Sequence, residues 1–570
     1  MGRPLTDGIG TAKKRISTQG RRSRTTPSWI LTSGAIVAAS ICLLPMLAVA
    51  LAAATGSFET LSRLADTVLW RYTSNTLILV VLVSVFTAII GTGTAWLVTM
   101  TRFPGVKIFE IALALPFAFP AYVMAYAYTD LLDHPGAVQT GLRNFFDWGP
   151  RDYWFPEIRS VEGAAIMLTL VLYPYVYLLA RAAFLQESAT ANLAARTMGR
   201  GPWGAFFFIS LPMARPAIAG GVLLAVMETI ADFGTVSYFS VQTFATGIYT
   251  SWFGLADRGA ATQLAMCLLV FALFLAVLER LQRGAARSHA AGKRFESMPP
   301  MQLKGWRCFT AILACGKPVF FGFILPVALL FHMGLGSEQD LFSPRYLAFI
   351  QNSIILAGSA ALVTVGAALL ISFNARLHPV RLSFLAGHIS RIGYAVPGGV
   401  IAVGLLVPFA RMDNGIDALM REWFGISTGL LFTGSIAVLV MAYAVRFMAA
   451  ALNTLESGLG TINHNMDAVA RTLGRTPLNM ISSVHIPIMR STMFTALLIV
   501  FVDVMKELPA TLIMRPFNFD TLAVQAYRLA SDERLEGAAV PSLVIVVVGL
   551  IPVILVCRSL ARDRGKRNGK

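Results

Sequence analysis

Four carboxylates recur in two matched pairs. Glu228 and Asp232 stand four residues apart, and Asp503 and Glu507 repeat them 275 residues later, with Lys506 beside the second pair. Four residues make about one helical turn, so each pair is expected to share a helix face. All five groups lie in long apolar runs, where a carboxylate is costly unless it faces the protein interior or a water-filled cavity. Several such groups facing one axis suit the passage of a cation. Structural pairing is the alternative: Lys506 neutralises Asp503 or Glu507, with Arg515 doing the same nearer the membrane edge. The sequence leaves both open.

The elements that must carry these groups follow from composition. The chain is 56% hydrophobic and 14% charged, which is no soluble globular mixture. A membrane-crossing helix needs roughly 20 mostly apolar residues. Twelve such runs are expected, over 30–54, 75–99, 108–132, 163–185, 212–239, 262–281, 309–334, 352–373, 392–411, 428–450, 488–514 and 539–558. They do not alternate as the strands of a membrane barrel do. At about 1.5 Å per residue from Pro212 or Pro487, the carboxylates fall well inside the bilayer. Pro116, Pro120 and Pro397 lie within apolar runs, where a proline frees a carbonyl that protein or water must satisfy.

A net charge of +17 raises the question of nucleic acid, and its placement answers it. Lys and Arg crowd the first 28 residues, the stretch around 283–307 and the last dozen residues. With twelve spans these lie on one side, together with Arg102, Lys107, Arg376 and Arg381. Acidic residues such as Asp130, Asp133, Asp147, Asp152 and Glu157 gather on the other. Positive residues mark the cytoplasmic face, so both termini are expected there and no nucleic-acid partner is implied. The first span is too long for a signal peptide and reads as a retained anchor, after a disordered Met1–Pro27. Five scattered cysteines show no CxxC pairing, and seven histidines form no ligand group.

The chain also repeats itself. Ala195-Arg196-Thr197-Met198-Gly199 returns as Ala470-Arg471-Thr472-Leu473-Gly474. Ile209-Ser210-Leu211-Pro212 returns as Val484-His485-Ile486-Pro487. Asn75-Thr76 matches Asn352-Ser353, and the run from Pro120 matches that from Pro397. The expected fold is an all-α polytopic membrane protein of about 12 transmembrane helices in two parallel six-helix repeats, related by an axis along the membrane normal. The expected domains are a basic cytoplasmic tail (1–28), a first repeat (29–282) with a loop at 187–212, a basic linker (283–307), a second repeat (308–558) with a loop at 456–487, and a basic tail (559–570). A polar cytoplasmic loop present twice suggests two docking sites for a two-fold partner. Gly199 and Gly474 can each end a short helix in the left-handed conformation.

The loop pattern resembles that of membrane subunits of binding-protein-dependent ABC importers: Glu-Ala-Ala, three residues, Gly, nine residues, Ile, any residue, Leu, Pro. The first copy matches at Ala194, Ala195, Gly199, Ile209, Leu211 and Pro212, and the second at Val469, Ala470, Gly474, Val484, Ile486 and Pro487. Leu193 and Ala468 stand where the family often has Glu. The resemblance implies a separate ATPase dimer on the two loops, which uses ATP and Mg, and a periplasmic binding protein that delivers substrate. It implies a chain in the bacterial inner membrane that binds no cofactor itself. The chain carries no G-x-x-x-x-G-K-[ST] phosphate cradle, so it is expected to be no ATPase.

Lys506–Ala523 and Met227–Thr235 further resemble ferric-iron importer permeases. Thiamine and phosphonate permeases are near relatives and remain alternatives, with an ion-coupled secondary transporter behind them. Ferric iron prefers oxygen ligands, which carboxylates provide. Tyr122, Tyr126, Tyr128, Tyr173, Tyr175 and Tyr177 read as an aromatic belt at the membrane surface rather than as ligands.

Overall fold

The computed structural model describes residues 29–568 except 57, 186–201, 288–300, 338, 341 and 461. The expected disordered tail and the helical part of the first docking loop, with Ala194, Ala195 and Gly199, lie outside the described residues. Among those described, eleven helices are long and apolar enough to cross a membrane: Leu31–Ala54, Ser62–Met100, Val161–Leu185, Phe206–Ala231, Arg258–Leu278, Trp306–Leu335, Pro344–Leu377, Gly398–Phe424, Ala437–Gly460, Pro477–Met505 and Leu535–Leu555. A bent pair, Val106–Ala118 and Ala121–Phe146 at 93°, has the form of a broken span or a re-entrant loop and brings the number to twelve when counted as one span. Counted with this pair as the third, the spans run first to twelfth in chain order. The protein is an all-α, multi-pass membrane protein.

Four expected spans change shape. The third (108–132) is broken at Pro120, whose extended backbone (ψ 137°) precedes the helix from Ala121. The ninth (392–411) starts later, at Gly398 behind Pro397 (ψ 145°), and runs on to Phe424. Proline removes a helix hydrogen bond and restricts the residue before it, so both prolines start helices rather than kink them. The fifth (212–239) ends at Ala231, and the eleventh (488–514) ends at Met505. The linker boundaries also move: a helix runs to Arg287 and the next begins at Trp306, while the last helix continues to Asn568 through the expected tail. β2 (Met301–Gln302), in the linker, pairs in parallel with β1 (Thr101–Arg102), which fastens the linker's end to the turn after the second span.

The repeat is visible in backbone detail. π-Helical turns at Phe206–Ser210 and Ile481–His485 fall at equivalent positions, just before Leu211-Pro212 and Ile486-Pro487. A third, Phe320–Ile324, precedes Leu325-Pro326. A proline ring collides with the carbonyl four residues back, and a widened turn relieves the collision.

Each repeat wraps a central span. The fourth lies between the second and fifth, and the tenth between the eighth and eleventh. Lipid gives little hydrophobic drive between helices, so close approach of small residues matters. Gly91 and Gly221 both abut Val176, where an added Cβ would come within 2.6 and 2.7 Å of its atoms. The first span packs on the eighth and ninth, and the seventh on parts of the third. Thr32 Oγ1 donates to Asn374 Oδ1 at 3.1 Å, and Tyr128 donates to the Phe321 carbonyl at 2.6 Å. Thus the two repeats are sequence units whose first spans cross to the opposite half.

Candidate functional site

Two breaks bring the carboxylates together. After Ala231 the backbone of Asp232 turns extended (ψ 130°), and the helix Gly234–Tyr238 follows. Asp232 accepts from the backbone N–H groups of Thr235 and Val236, each at 3.1 Å, and from Thr235 Oγ1 at 3.1 Å. A short acidic side chain that satisfies downstream N–H groups competes with helix continuation. The eleventh span does the same with Glu507. It accepts from Ala510 N at 3.1 Å, Thr511 N at 3.3 Å, Thr511 Oγ1 at 3.2 Å and Tyr443 OH at 3.3 Å. Pro509, which has no N–H to lose, opens the helix Pro509–Met514 beyond the break.

The expected one-turn pairs on continuous helices are therefore corrected. Glu228 and Asp503 sit on the helices, while Asp232 and Glu507 sit at or beyond their ends. All five expected residues, Glu228, Asp232, Asp503, Lys506 and Glu507, nonetheless line one cavity of about 120 Å³ between the repeats. Both proline-led helix starts reach it or lie beside it, through Pro120, Ala121 and Tyr122 on one side and Gly398 against Glu507 on the other. Broken backbone inside a membrane is tolerated where it is buried in protein or lines a cavity.

Both open readings of the carboxylates have support here. Asp232 and Glu507 spend their acceptor capacity on capping. Lys506 Nζ lies 3.0 Å from Asp503 Oδ1 and 4.5 Å from the centre of the Phe117 ring. The residue sequence reasoning missed is Arg446, on the tenth span, whose Nη2 stands 3.7 Å from Glu228 Oε2 across the repeats. Its matching position in the first half is apolar, Val171, so no repeat signal marked it. A second cavity of about 350 Å³ shares Phe117, Tyr175, Tyr394, Asp503 and Lys506 with the first and extends to Arg391 and Asn453. The aromatic-belt expectation fails for most of its tyrosines: Tyr122, Tyr126, Tyr128, Tyr173 and Tyr177 are buried in protein, and Tyr122 and Tyr175 line the cavity. The exposed positions of a belt were assigned from sequence distance to the span ends, and the break at Pro120 moved the first group inward. No group of three or more His, Cys, Asp or Glu poised to hold a metal occurs among the described residues.

Alanine substitutions separate lining from packing. Glu507→Ala takes the acceptor from the backbone N–H groups of Ala510 and Thr511, while the Tyr443 and Thr511 hydroxyls keep each other, so it is expected to cost about 1–3 kcal/mol and lower the amount of protein in the membrane. Asp503→Ala, whose partner Lys506 keeps its contact with Phe117, is expected to lower uptake more than protein level. Immunoblots read beside uptake in the same membranes check both, and equal losses for Asp503→Ala would assign it to packing.

The second loop is described in full. Helix His464–Thr472 ends before Gly474, which has φ +72° as the sequence suggested. Met466, Val469 and Leu473 are exposed along one strip of it, while Ala470 is buried against the spans. Val484 is half-buried, and Ile486 and Pro487 are exposed at the start of the eleventh span. In the first loop, Ile209 and Leu211 are half-buried, as is Pro212. Within the matched motif, Val469 faces outward and Ala470 inward.

No protein-family model matches the chain. Among curated proteins, the chain is 26% identical over 543 residues to the Fe(3+)-transport system permease protein FbpB 2 of Haemophilus influenzae, covering 93% of this chain and 98% of that one. It is 25% identical to the ferric transport system permease protein FbpB of Actinobacillus pleuropneumoniae, over 85% of this chain and 70% of that one. The molybdenum transport system permease protein ModB of Escherichia coli is 29% identical over 27% of this chain and 68% of its own length. A likeness that spans both repeats is more than one shared loop can supply, and over most of its length the chain is similar to permease proteins of ferric transport systems.

Proposed function

We propose that this chain is the fused transmembrane permease of an ATP-driven importer for ferric iron. The observation that carries the reading is the near full-length likeness to ferric transport permeases, joined to a cavity between the repeats lined by four carboxylates. Both repeats sit in one chain, so one copy offers two docking loops. A separate ATPase dimer binds there, with the strip Met466, Val469 and Leu473 as its apolar contact on the second loop. It supplies the ATP and Mg chemistry, and this chain hydrolyses nothing. Both termini and both loops face the cytoplasm of a bacterial inner membrane, following the excess of Lys and Arg on that side.

Substrate arrives on the opposite face from a periplasmic binding protein. ATP binding draws the two docking helices together and opens the cavity outward, and hydrolysis returns it inward. A ligand shifts such an equilibrium only by binding one state better, so the loaded binding protein favours the ATP-bound state. The carboxylates attract the cation and release it readily, as a transit path requires. Arg159 is placed to hold the outer side closed: it pairs with both Glu533 oxygens, at 2.9 and 3.1 Å, across the repeats.

A second reading has one observation in its favour. Arg446 and Lys506 also line the cavity, and partial matches include molybdenum and sulfate transport permeases, so an oxyanion is the competing cargo. Uptake of labelled ferric iron in iron-starved cells lacking the gene decides between them. Restoration by the gene, unaffected by excess molybdate or sulfate, is the expected result. Restored molybdate or sulfate uptake without iron uptake would replace the cargo and keep the importer.

A further inference from the structure

The two cavities meet at one set of side chains. Phe117, Tyr175, Tyr394, Asp503 and Lys506 line both of them. Phe117 and Tyr394 are related by the repeat. Each lies in a short 3-10 turn, Leu115–Ala118 or Gly393–Ala395, just before the break at Pro120 or Pro397. Phe117 meets Tyr175 edge to face, with ring centres 4.8 Å apart. Lys506 reaches this junction from the second repeat, with Nζ 4.5 Å from the Phe117 ring centre and 3.0 Å from Asp503 Oδ1. The larger cavity, of about 350 Å³, continues from the junction to Asn453 on the tenth span. That span ends at Gly460, shortly before the second docking helix, so the larger cavity extends toward the docking-loop side.

Lys506 is held differently from the other charged groups around it. Asp232 and Glu507 are fixed by the backbone N–H groups they cap. Lys506 follows Met505, the last residue of its helix, and takes one oxygen of Asp503. Both side chains keep some exposure, 23% for Lys506 and 21% for Asp503, so neither is locked in packing. An ammonium on a flexible four-carbon stem can leave one partner for another. The Phe117 ring is such a partner, because an aromatic face attracts a cation. The larger cavity gives the stem room to move. Tethering also gives the ammonium a high effective concentration at Asp503, which a free monovalent ion must exceed while bringing no more charge. A trivalent ion brings three times the charge, and Coulomb energy at a given distance grows in proportion. Exchange at Asp503 therefore favours a highly charged cation and resists a monovalent one.

We propose that Lys506 is a tethered resident cation that sets the specificity of the path: it holds Asp503 against monovalent ions and yields it to a multiply charged cation at the junction of the two cavities. The displaced ammonium stays over Phe117 on the docking-loop side. The inference rests on the ferric-importer reading for its cargo, and on geometry and charge for the exchange itself.

The test uses the full chain in nanodiscs and trivalent terbium, a redox-inert hard cation whose luminescence is excited through nearby tyrosines such as Tyr175 and Tyr394. Titrations are run in potassium and in the bulkier choline at matched ionic strength. For the unaltered chain, half-saturation is expected to differ less than twofold between the two salts. Lys506→Gln is expected to bind terbium at least fivefold more weakly in potassium than in choline, because potassium then occupies Asp503. Lys506→Met keeps a long stem over Phe117 and drops the charge; it is expected to behave like Lys506→Gln, so the result does not hang on the folding of one variant. Lys506→Arg restores the charge and is expected to bring the difference back under twofold. Asp503→Asn is expected to remove the saturable signal. Equal potassium sensitivity in the unaltered chain and in both neutral variants would overturn the exchange, as would a terbium signal that Asp503→Asn leaves unchanged. Labelled ferric-iron uptake by the unaltered chain is read separately. Its absence would sink the importer reading, and the terbium titrations would still decide the exchange.

Discussion

Gly398→Ala is expected to cut transport about tenfold, and Gly398→Val to abolish it, in protein that still reaches the membrane. A Cβ at this position would stand 2.5 Å from Glu507 Oε1, 3.0 Å from Arg446 Nη1 and 3.4 Å from Ala510 N. Those atoms belong to the carboxylate cap of the broken eleventh span and to the cation that faces Glu228 across the repeats. Overpacking of this kind costs about 1–3 kcal/mol and displaces side chains from their minima. The first repeat shows how the same junction is built with a Cβ present. There Ala121 replaces the glycine and the capping acid is Asp232, one methylene shorter than Glu507. The double change Gly398→Ala with Glu507→Asp copies that solution and is expected to recover much of the lost transport. Uptake rates normalised to protein level check the series. No recovery in the double variant would show that the two junctions are not interchangeable.

Gly474→Val, made together with Gly199→Val, is expected to remove ATP-coupled uptake while sparing membrane insertion. Gly474 has φ +72°, and nothing lies within 4 Å of a Cβ built there, so the loss comes from backbone conformation and not from collision. Holding a β-branched residue in that region costs roughly 1–2 kcal/mol, and the cheaper response is to reshape the turn between the docking helix and the eleventh span. Asparagine visits this conformation readily, so Gly474→Asn is expected to keep most of its activity. Co-purification of the ATPase, measured beside uptake, reads docking directly. Full uptake by the double valine variant at normal protein level would remove the docking role from these turns.

The loops and the carboxylates were legible because each occurs twice. A polar motif flanked by apolar runs cannot hide, and repetition at a 275-residue offset separates it from chance. The count of crossings was legible for a related reason: a bilayer demands a minimum run of apolar residues whatever the tertiary arrangement. The paired prolines marked the third and ninth spans as irregular. They did not tell a kink from a helix start, because that depends on which backbone groups find partners beyond the break.

What the sequence determined by itself is therefore local and periodic: an all-α membrane chain, two repeats, two loops and four intramembrane acids. Tertiary structure decided what those acids touch. Asp232 and Glu507 lie at breaks because their carboxylates satisfy N–H groups that a continuous helix would have used, and neither partner is visible in hydropathy. Arg446 and Gly398 became part of the site only when the tenth, ninth and eleventh spans met. Neither has its residue type at the matching position of the first repeat, so no repetition could mark it. The crossing of each first span to the opposite half was likewise hidden, since packing in lipid follows close contacts such as Gly404 against Pro45, and these join residues far apart in the chain.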